Sequence, residues 1–170
     1  MIRLKNKKNI FFLFFPAILF SGCLGEAELS TRVLEEASSM GDAFIKKDYE
    51  KYANYTLDWA ARYMGGKKNI KAGVKKLVES FEKKGKRFSA VHYELIGQVK
   101  EKDGKYQCML SQTTTISGEY ADTQDEAIVY AVSEDAENWK FATITFMPKE
   151  KLLELSPYLH PDLVNPNWKK

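Results

Sequence analysis

The sequence predicts an α+β fold in which N-terminal helices pack on a curved four-stranded antiparallel sheet, in a single domain. Three observations predict it. Apolar residues recur every three or four positions up to about residue 84, they alternate with polar residues after Arg87, and turn signals separate the alternating stretches. A chain of 170 residues that is 44% hydrophobic and 29% charged has the composition of one globular domain.

Three helical segments are predicted in the first half of the domain. Residues 29–48 carry apolar side chains at the spacing of an amphipathic helix. Residues 49–63 are rich in aromatic side chains and form a second segment, helical or partly irregular, which the Gly65-Gly66 pair ends. The third helix covers residues 67–84, has one apolar stripe, and stops at Gly85.

Four strands are predicted next, and they are residues 88–99, 106–117, 127–133 and 139–147. Asp103-Gly104 is a two-residue hairpin signal between the first two strands. A longer loop, residues 118–125, precedes the third strand. Because the last two strands are apolar on both faces, we expect both of them in the centre of the sheet.

The C-terminal part, residues 149–170, is predicted to be a short helix followed by a proline-containing tail. Pro148 fits the first position of this helix, which runs to Leu155. Since prolines stand at positions 157, 161 and 166, we expect the tail to be extended.

The first 22 residues have the pattern of a signal peptide. Residues 1–9 contain four basic side chains and no acid, and residues 10–20 are an unbroken apolar run. This run is about half as long as the roughly 20 residues that a membrane-spanning helix needs. A transmembrane anchor is therefore not predicted.

The residues that follow, Leu19-Phe20-Ser21-Gly22-Cys23, resemble the bacterial lipobox. The resemblance implies cleavage before Cys23 and acylation of its thiol, which would leave residues 23–28 as a lipid-anchored tether. Phe20 departs from the pattern because an aliphatic residue is usual there, and a secreted protein with an incidental cysteine is the alternative. Leu24 resembles the class that is sorted to the outer membrane. The expected location is the cell envelope, with the membrane as a partner through the lipid.

Acylation of Cys23 would leave Cys108 as the remaining thiol of the mature chain. A thiol without a disulfide partner has to be buried to survive outside the cytoplasm. We therefore predict that Cys108 lies in the core.

The positive charge of the whole chain does not predict an anionic partner by itself. The full sequence has a formal charge of +3, but cleavage before Cys23 leaves 22 basic and 23 acidic residues. The basic residues that could contact an anionic surface are Lys67, Lys68, Lys71, Lys75, Lys76, Lys83 and Lys84. They either lie on anionic headgroups or form a solvated helix face. A protein that binds single-stranded nucleic acid needs aromatic residues interleaved with its basic ones, on which the bases stack. Aromatic residues do not interleave these lysines in that way, so nucleic acid is not predicted as a partner.

The stretch from Phe44 to Tyr55 (FIKKDYEKYANY) resembles the opening of nuclear transport factor two-like domains, which have the cystatin-like α+β cone. Met64-Gly65-Gly66 before a lysine-rich helix, and Trp139-Lys140-Phe141 in the last strand, are similar to small lipoproteins of this superfamily. The resemblance implies a cone-shaped domain over residues 29–148. Members include isomerases, dehydratases, polyketide cyclases and proteins without known chemistry, so the resemblance implies a fold more than an activity.

Enzymes of this superfamily use an acid/base residue inside the cone, and the candidates here are His92, Glu94 and Asp58. His92 and Glu94 share a strand face opposite Val91 and Tyr93, and this pattern favours a position on the outer surface instead. The sequence has two histidines, in no metal-ligand spacing, so no metal and no cofactor is predicted.

Aromatic side chains indicate a second kind of site, a ligand pocket. The candidates on the helices are Tyr49, Tyr52, Tyr55, Trp59 and Tyr63, and the candidates on the sheet are Tyr93, Leu110, Tyr130 and Phe141. Packing of the same residues in the core is the alternative.

These observations favour a non-catalytic, membrane-anchored lipoprotein whose cone-shaped domain binds a small molecule or another envelope protein. The alternative is an enzyme of the isomerase, dehydratase or cyclase type. Homodimerisation through the outer face of the sheet is compatible with both.

Overall fold

The computed structural model describes residues 25–164, so the predicted signal peptide, Cys23 and residues 165–170 lie outside the described residues. The elements are α1 (Glu26–Ile45), α2 (Tyr49–Asn54), α3 (Asp58–Tyr63), α4 (Lys67–Glu82), β1 (Arg87–Lys102), β2 (Lys105–Ser117), β3 (Thr123–Ser133), β4 (Lys140–Thr143), α5 (Lys149–Leu155) and a 3₁₀ turn (Pro161–Leu163). Within this part of the chain, no helix is both long enough and apolar enough to cross a membrane.

The predicted fold class is confirmed: helices pack on a four-stranded antiparallel open sheet in a single domain. The strand order is β1-β2-β3-β4, so every strand pairs with its neighbour in sequence. Asp103 and Gly104 have φ angles of 54° and 71°, as the two central residues of a type I′ hairpin require. The predicted turn therefore forms between the paired residues Lys102 and Lys105.

Helix α1 covers one face of the sheet, here called the inner face, which carries Tyr93, Leu110, Val129 and Phe141. The helix begins at Glu26, inside the predicted tether and three residues before the predicted start. Two acids in its first turn interact favourably with the helix dipole and support this earlier start. The stripe of α1 that is buried against the inner face consists of Val33, Ala37 and Met40.

Gly41 is a point of close approach between α1 and β1. A Cβ atom added at Gly41 would lie 3.1 Å from the Cβ of Val91 and 3.1 Å from the ring of Tyr93. Because glycine has no Cβ, the helix can pack directly on the strand at this position.

The predicted aromatic segment forms two short helices, α2 and α3, with a break at Thr56. There the chain pairs with the edge of the sheet, since the Phe141 N–H donates to the Tyr55 carbonyl at 2.7 Å and the Leu57 N–H donates to the Phe141 carbonyl at 2.9 Å. The break divides the segment between two hydrophobic clusters. Tyr55 packs against the inner cluster with α1, whereas Trp59 belongs to a cluster on the opposite face.

The prediction that the last two strands are central is right for β3 and wrong for β4. Strand β4 lies at the edge and has four residues, Lys140–Thr143, instead of the predicted 139–147. It is apolar on both sides because Phe141 packs in the inner cluster while Ala142 packs in the opposite cluster. An edge strand that is covered on both faces has the same sequence pattern as a central one.

The face of the sheet opposite α1, here called the outer face, is covered at one end by residues 149–164, here called the C-terminal segment. Leu152, Leu159 and Leu163 of this segment are buried with Met109 and Tyr130 of the sheet. The prediction of an extended tail is therefore wrong for the part up to residue 164. Prolines exclude a long helix there, but they permit the irregular path that places these leucines on the sheet.

A buried polar network attaches the C-terminal segment to the sheet. Gln107 is fully buried, and its Nε2 donates to the carbonyl of Tyr158 at 2.9 Å. Its Oε1 accepts from the hydroxyl of Tyr130 at 2.7 Å and from the N–H of His160 at 3.1 Å. The Tyr130 hydroxyl also lies 3.2 Å from the Oγ of Ser156. Every member of this Gln107 network is thus paired, as buried polar groups require.

Cys108 is a free thiol on the inner side of β2 and is fully buried, as predicted. Burial raises the pKa of this thiol, so it stays protonated and unreactive in the folded protein.

Candidate functional site

A cavity of about 260 Å³ lies between the helices and the inner face of the sheet, and is here called the cone cavity. Its lining comes from α1, α2, α3, α4, β3 and β4 and consists of Met40, Tyr52, Thr56, Ala60, Met64, Ile70, Val74, Val129, Phe141, Ala142 and Thr143. For comparison, an apolar cavity of roughly 150 Å³ can hold benzene.

The lining of the cone cavity is mainly apolar, with two threonines and one phenol as its polar groups. Burial raises the pKa of Tyr52, so this phenol is a neutral hydrogen-bonding group. No Asp, Glu, His, Lys or Arg side chain is among the described residues that line it. The cavity can therefore take an apolar molecule and orient it through a few hydroxyl groups.

The structure brings some of the predicted pocket residues together on the inner face. Tyr52 and Phe141 line the cone cavity. Tyr55, Tyr93 and Leu110 belong to the same inner cluster but are not among the residues that line the cavity. Desolvation by burial raises the pKa of Tyr93, which keeps its phenol neutral.

Four other predicted pocket residues lie elsewhere. Tyr130 and Trp59 belong to the cluster on the outer face, where Tyr130 is part of the Gln107 network. Tyr63 is 68% exposed at the end of α3, and Tyr49 is half-buried at the start of α2. Neither Tyr49 nor Tyr63 contributes to the lining of the cone cavity.

The three acid/base candidates lie on other surfaces than the cone cavity. His92 and Glu94 are exposed on the outer face of β1, with the Nε2 and Oε1 atoms 3.4 Å apart. Asp58 is exposed at the start of α3 and lines a different pocket. The structure therefore does not bring these residues together with the cone cavity.

The predicted basic surface is the exposed side of α4 and the turn that follows it. Some of its charge is paired, since Lys71 forms an ion pair with Glu50, and Lys75 lies 3.9 Å from Glu79. Lys67 donates to the side-chain amide oxygen of Asn54 at 3.1 Å. The remaining lysines of the set, Lys68, Lys76, Lys83 and Lys84, are exposed. Contact of this surface with anionic headgroups stays a prediction.

A second pocket, which sequence reasoning missed, lies between α3, the β3–β4 loop and the C-terminal segment, and is here called the α3 pocket. Its volume is about 480 Å³. It is lined by Leu57, Asp58, Trp59, Arg62, Lys105, Val132, Ser133, Glu134, Asp135, Asn138, Lys140, Leu155 and Tyr158. These residues come from separate elements and share no sequence motif, so only the fold brings them together.

Asp135 organises the β3–β4 loop beside the α3 pocket. Its Oδ1 accepts from the Ser133 hydroxyl at 2.9 Å and from the backbone N–H groups of Glu137 and Asn138 at 2.9 and 2.7 Å. Its Oδ2 accepts from the Asn138 side chain at 2.6 Å. Hydrogen bonds from Asn138, and then from Glu137 and Ser133, hold the pKa of this carboxyl well below its usual range. Asp135 is therefore an ionised structural group.

Residues 25–164 contain no group of three or more His, Cys, Asp or Glu side chains that could hold a metal ion.

Comparisons with known proteins relate the chain to solved structures. No protein-family model matches the chain, and no curated protein is similar to it. Aln2 from a Streptomyces species superposes with a TM-score of 0.51 at 17% identity, over 71% of this chain and 88% of Aln2. A Catenulispora acidiphila protein in complex with S-DNPA has a TM-score of 0.47 at 16% identity, over 68% of this chain and 90% of its own. An uncharacterised cystatin-fold protein from Novosphingobium aromaticivorans has a TM-score of 0.36 at 17% identity, over 64% and 96%.

At such identities these similarities concern the fold alone, and the similarity to Aln2 is the one that carries weight. It agrees with the predicted fold class of helices on a four-stranded antiparallel sheet.

Proposed function

We propose that this chain is an envelope lipoprotein, anchored through Cys23, whose cone-shaped domain binds a small and largely apolar molecule without transforming it. The observation that carries the binding part of this proposal is the cone cavity, which is apolar and open to solvent. Met64, Thr143 and Val74 are lining residues that reach solvent, since Met64 is 53% exposed, Thr143 is exposed and Val74 is half-buried.

The shape and chemistry of the cone cavity support a small molecule over a protein partner. Concave, mostly apolar cavities with a few polar groups are typical of ligand sites. Thr56, Thr143 and the phenol of Tyr52 are the groups that would orient a ligand.

The positions of the ionisable residues favour binding over catalysis. A general base that abstracts a proton must lie within hydrogen-bond distance of the substrate. His92, Glu94 and Asp58 are all exposed and line other surfaces than the cone cavity. Chemistry in this cavity would therefore need a group that none of these residues supplies.

The identity of a natural ligand is best sought by native mass spectrometry of the protein purified from its own host. A retained small molecule that is released on denaturation supports the proposal. Binding in the cone cavity can be measured in parallel with the neutral apolar dye N-phenyl-1-naphthylamine, whose fluorescence rises in an apolar site.

Substitution of Val74 by Trp is expected to weaken binding of this dye by about 30-fold. The larger side chain fills the open side of the cone cavity. A ligand that can no longer bury an area equal to two or three CH₂ groups loses about 2 kcal/mol of binding free energy. The measurement is a fluorescence titration of the full chain in a non-ionic detergent, from which the titration of the same detergent without protein is subtracted because the dye also fluoresces in micelles.

Lys75→Trp is the matched control because it adds the same side chain to the neighbouring, exposed position of α4. This variant should bind the dye like the wild type. Equal affinities of Val74→Trp and wild type would contradict binding in the cone cavity, provided that the Trp variant melts at the same temperature.

Replacement of Cys23 by Ala is expected to abolish incorporation of radiolabelled palmitate. The physical reason is that alanine has no thiol to acylate. Cys108→Ala is the control, since a fully buried thiol is not an acylation site, and this variant should be labelled normally. Equal labelling of wild type and Cys23→Ala would overturn the lipoprotein part of the proposal.

A further inference from the structure

The α3 pocket presents hydrogen-bond donors that the protein does not use. Arg62 is exposed and takes part in none of the ion pairs formed among residues 25–164. The Nζ of Lys140 donates to the carbonyl of Asn54 at 2.8 Å, and an ammonium group has two further N–H donors. Lys105 differs from both because it forms an ion pair with Glu134.

The acids of the α3 pocket are less available than its bases. Both oxygens of Asp135 accept hydrogen bonds within the β3–β4 loop. Glu134 is engaged by Lys105. Asp58 and the second carboxylate oxygen of Glu134 are left as acceptors with access to solvent. The pocket has three bases and three acids, but two of the acids are engaged by neighbours while Arg62 has no ion-pair partner among the described residues. The position of Arg62 therefore suits an anionic ligand.

Trp59 supplies an independent observation. This side chain lines the α3 pocket and is 6% exposed, and its indole Nε1–H is a buried donor without a partner among the described residues. By contrast, the indole of Trp139 donates to the carbonyl of Ala136 at 3.1 Å. A buried donor without an acceptor is unfavourable, so an acceptor brought by a ligand would be bound favourably.

The remaining walls of the α3 pocket are apolar. Leu57, Val132 and Leu155 line it together with the ring of Tyr158. The ammonium of Lys105 lies 5.0 Å from the centroid of this ring and fixes its position. The volume of about 480 Å³ lies within the range of roughly 300–1,000 Å³ typical of small-molecule sites. A ligand that fills the pocket should therefore have an apolar body in addition to its charge.

We propose that the α3 pocket is a second binding site, separate from the cone cavity, for a small organic anion: a carboxylate or phosphate monoester on an apolar body. Arg62 and Lys140 bind the anionic oxygens, since a guanidinium pairs with two oxygens at once. The indole N–H of Trp59 is a further donor. Because this nitrogen is buried, the side chains around it shift when the acceptor binds.

The test is a titration of the ¹⁵N-labelled full chain, in a non-ionic detergent, followed through its indole N–H resonances. The probes are benzoate and phenyl phosphate, with benzyl alcohol and benzylamine as the neutral and cationic controls of similar size. Binding of either anion should shift the Trp59 resonance and leave that of Trp139, which has its own acceptor, unchanged. Trp168 lies outside the described residues, and the variant Trp168→Phe identifies its signal.

Three variants locate the site. Arg62→Gln should weaken binding of the better anion by about tenfold, as expected for a lost charge-assisted hydrogen bond. Asp58→Asn should tighten it, because an anion beside the ligand is removed. Lys86→Gln removes an exposed charge from the turn between α4 and β1 and should change nothing.

Several outcomes would overturn the proposal. One is a Trp59 shift with benzyl alcohol as large as that with benzoate, since charge would then not be recognised. Another is an equal loss of affinity in Arg62→Gln and Lys86→Gln, which would indicate general charge attraction. The third is no shift with either anion at millimolar concentration. The dye titration in the cone cavity is unaffected by each of these results, so the two proposals fail separately.

Discussion

Replacing Gln107 by Leu is expected to lower the free energy of unfolding by about 3 kcal/mol. Leucine keeps the buried volume, so the loss comes from the hydrogen bonds. The carbonyl of Tyr158 and the N–H of His160 would lose their partner, and the Tyr130 hydroxyl would keep Ser156 alone. Buried polar groups left without partners are costly, and these three share one network.

The measurement is chemical denaturation of wild type and variant in urea. Gln124→Leu is the matched control because Gln124 is an exposed glutamine on the same face of the neighbouring strand, and it should change the free energy by less than about 0.5 kcal/mol. We also expect Gln107→Leu to self-associate, since a released C-terminal segment uncovers Met109 and Tyr130. Equal stability of the two Leu variants would contradict the role given to the Gln107 network.

Substitution of Gly41 by Leu is expected to destabilise the domain by about 3 kcal/mol. A Cβ at this position already lies 3.1 Å from Val91 and Tyr93, and the rest of the leucine side chain has no space between α1 and β1. Helix α1 would have to move away from the sheet, which opens gaps around Val33 and Met40 in the inner cluster.

Gly73→Leu is the control for Gly41→Leu. Gly73 is an exposed helical glycine with no heavy atom within 4 Å of an added Cβ. Leucine there should stabilise the domain by about 0.5 kcal/mol, because it has a higher helix propensity than glycine. If both variants melt at or above the melting temperature of the wild type, the close packing of α1 on β1 does not require a glycine at position 41.

Local sequence signals were sufficient for much of the fold. The period of three to four residues identified α1 and α4, and Gly85 follows the end of α4 as predicted. The Asp103-Gly104 turn fixed the first hairpin because only a few residue types adopt positive φ at both positions. These features depend on neighbours in sequence, and a single chain contains that information.

Features that depend on distant contacts were harder to predict. Strand β4 resembles a central strand because α1 covers Phe141 while the C-terminal segment covers Ala142. The leucines of that segment, Leu152, Leu159 and Leu163, are spaced as on one face of a helix, but Pro157 and Pro161 interrupt a helix there, so the sequence does not show that they pack on the sheet.

The same limit applies to the sites. In β3, Val129 faces α1 and Tyr130 faces the C-terminal segment, and a strand that is apolar on both sides does not reveal which face is which. The break at Thr56 likewise separates Trp59 from Tyr52. Both aromatic residues that line the cone cavity were among those named from sequence, but so were four that lie elsewhere. The α3 pocket depends entirely on tertiary contacts.

The early start of α1 limits how far the domain of an acylated chain can lie from the membrane. The chain from Cys23 to Glu26 spans at most about 10 Å, at roughly 3.5 Å per residue. Arg32, in the second turn of α1, donates to Glu137 at 3.1 Å, so the β3–β4 loop lies at the end of the domain that is nearest to Cys23 in sequence. In an acylated chain the acids of this loop would therefore lie near the membrane surface, where electrostatic interactions with headgroups are screened over about 8 Å at physiological salt. Because Glu137 pairs with Arg32 and Glu134 pairs with Lys105, the charge at this end of the domain is largely balanced, and the short connection to Cys23 is what would limit the distance between the domain and a bilayer.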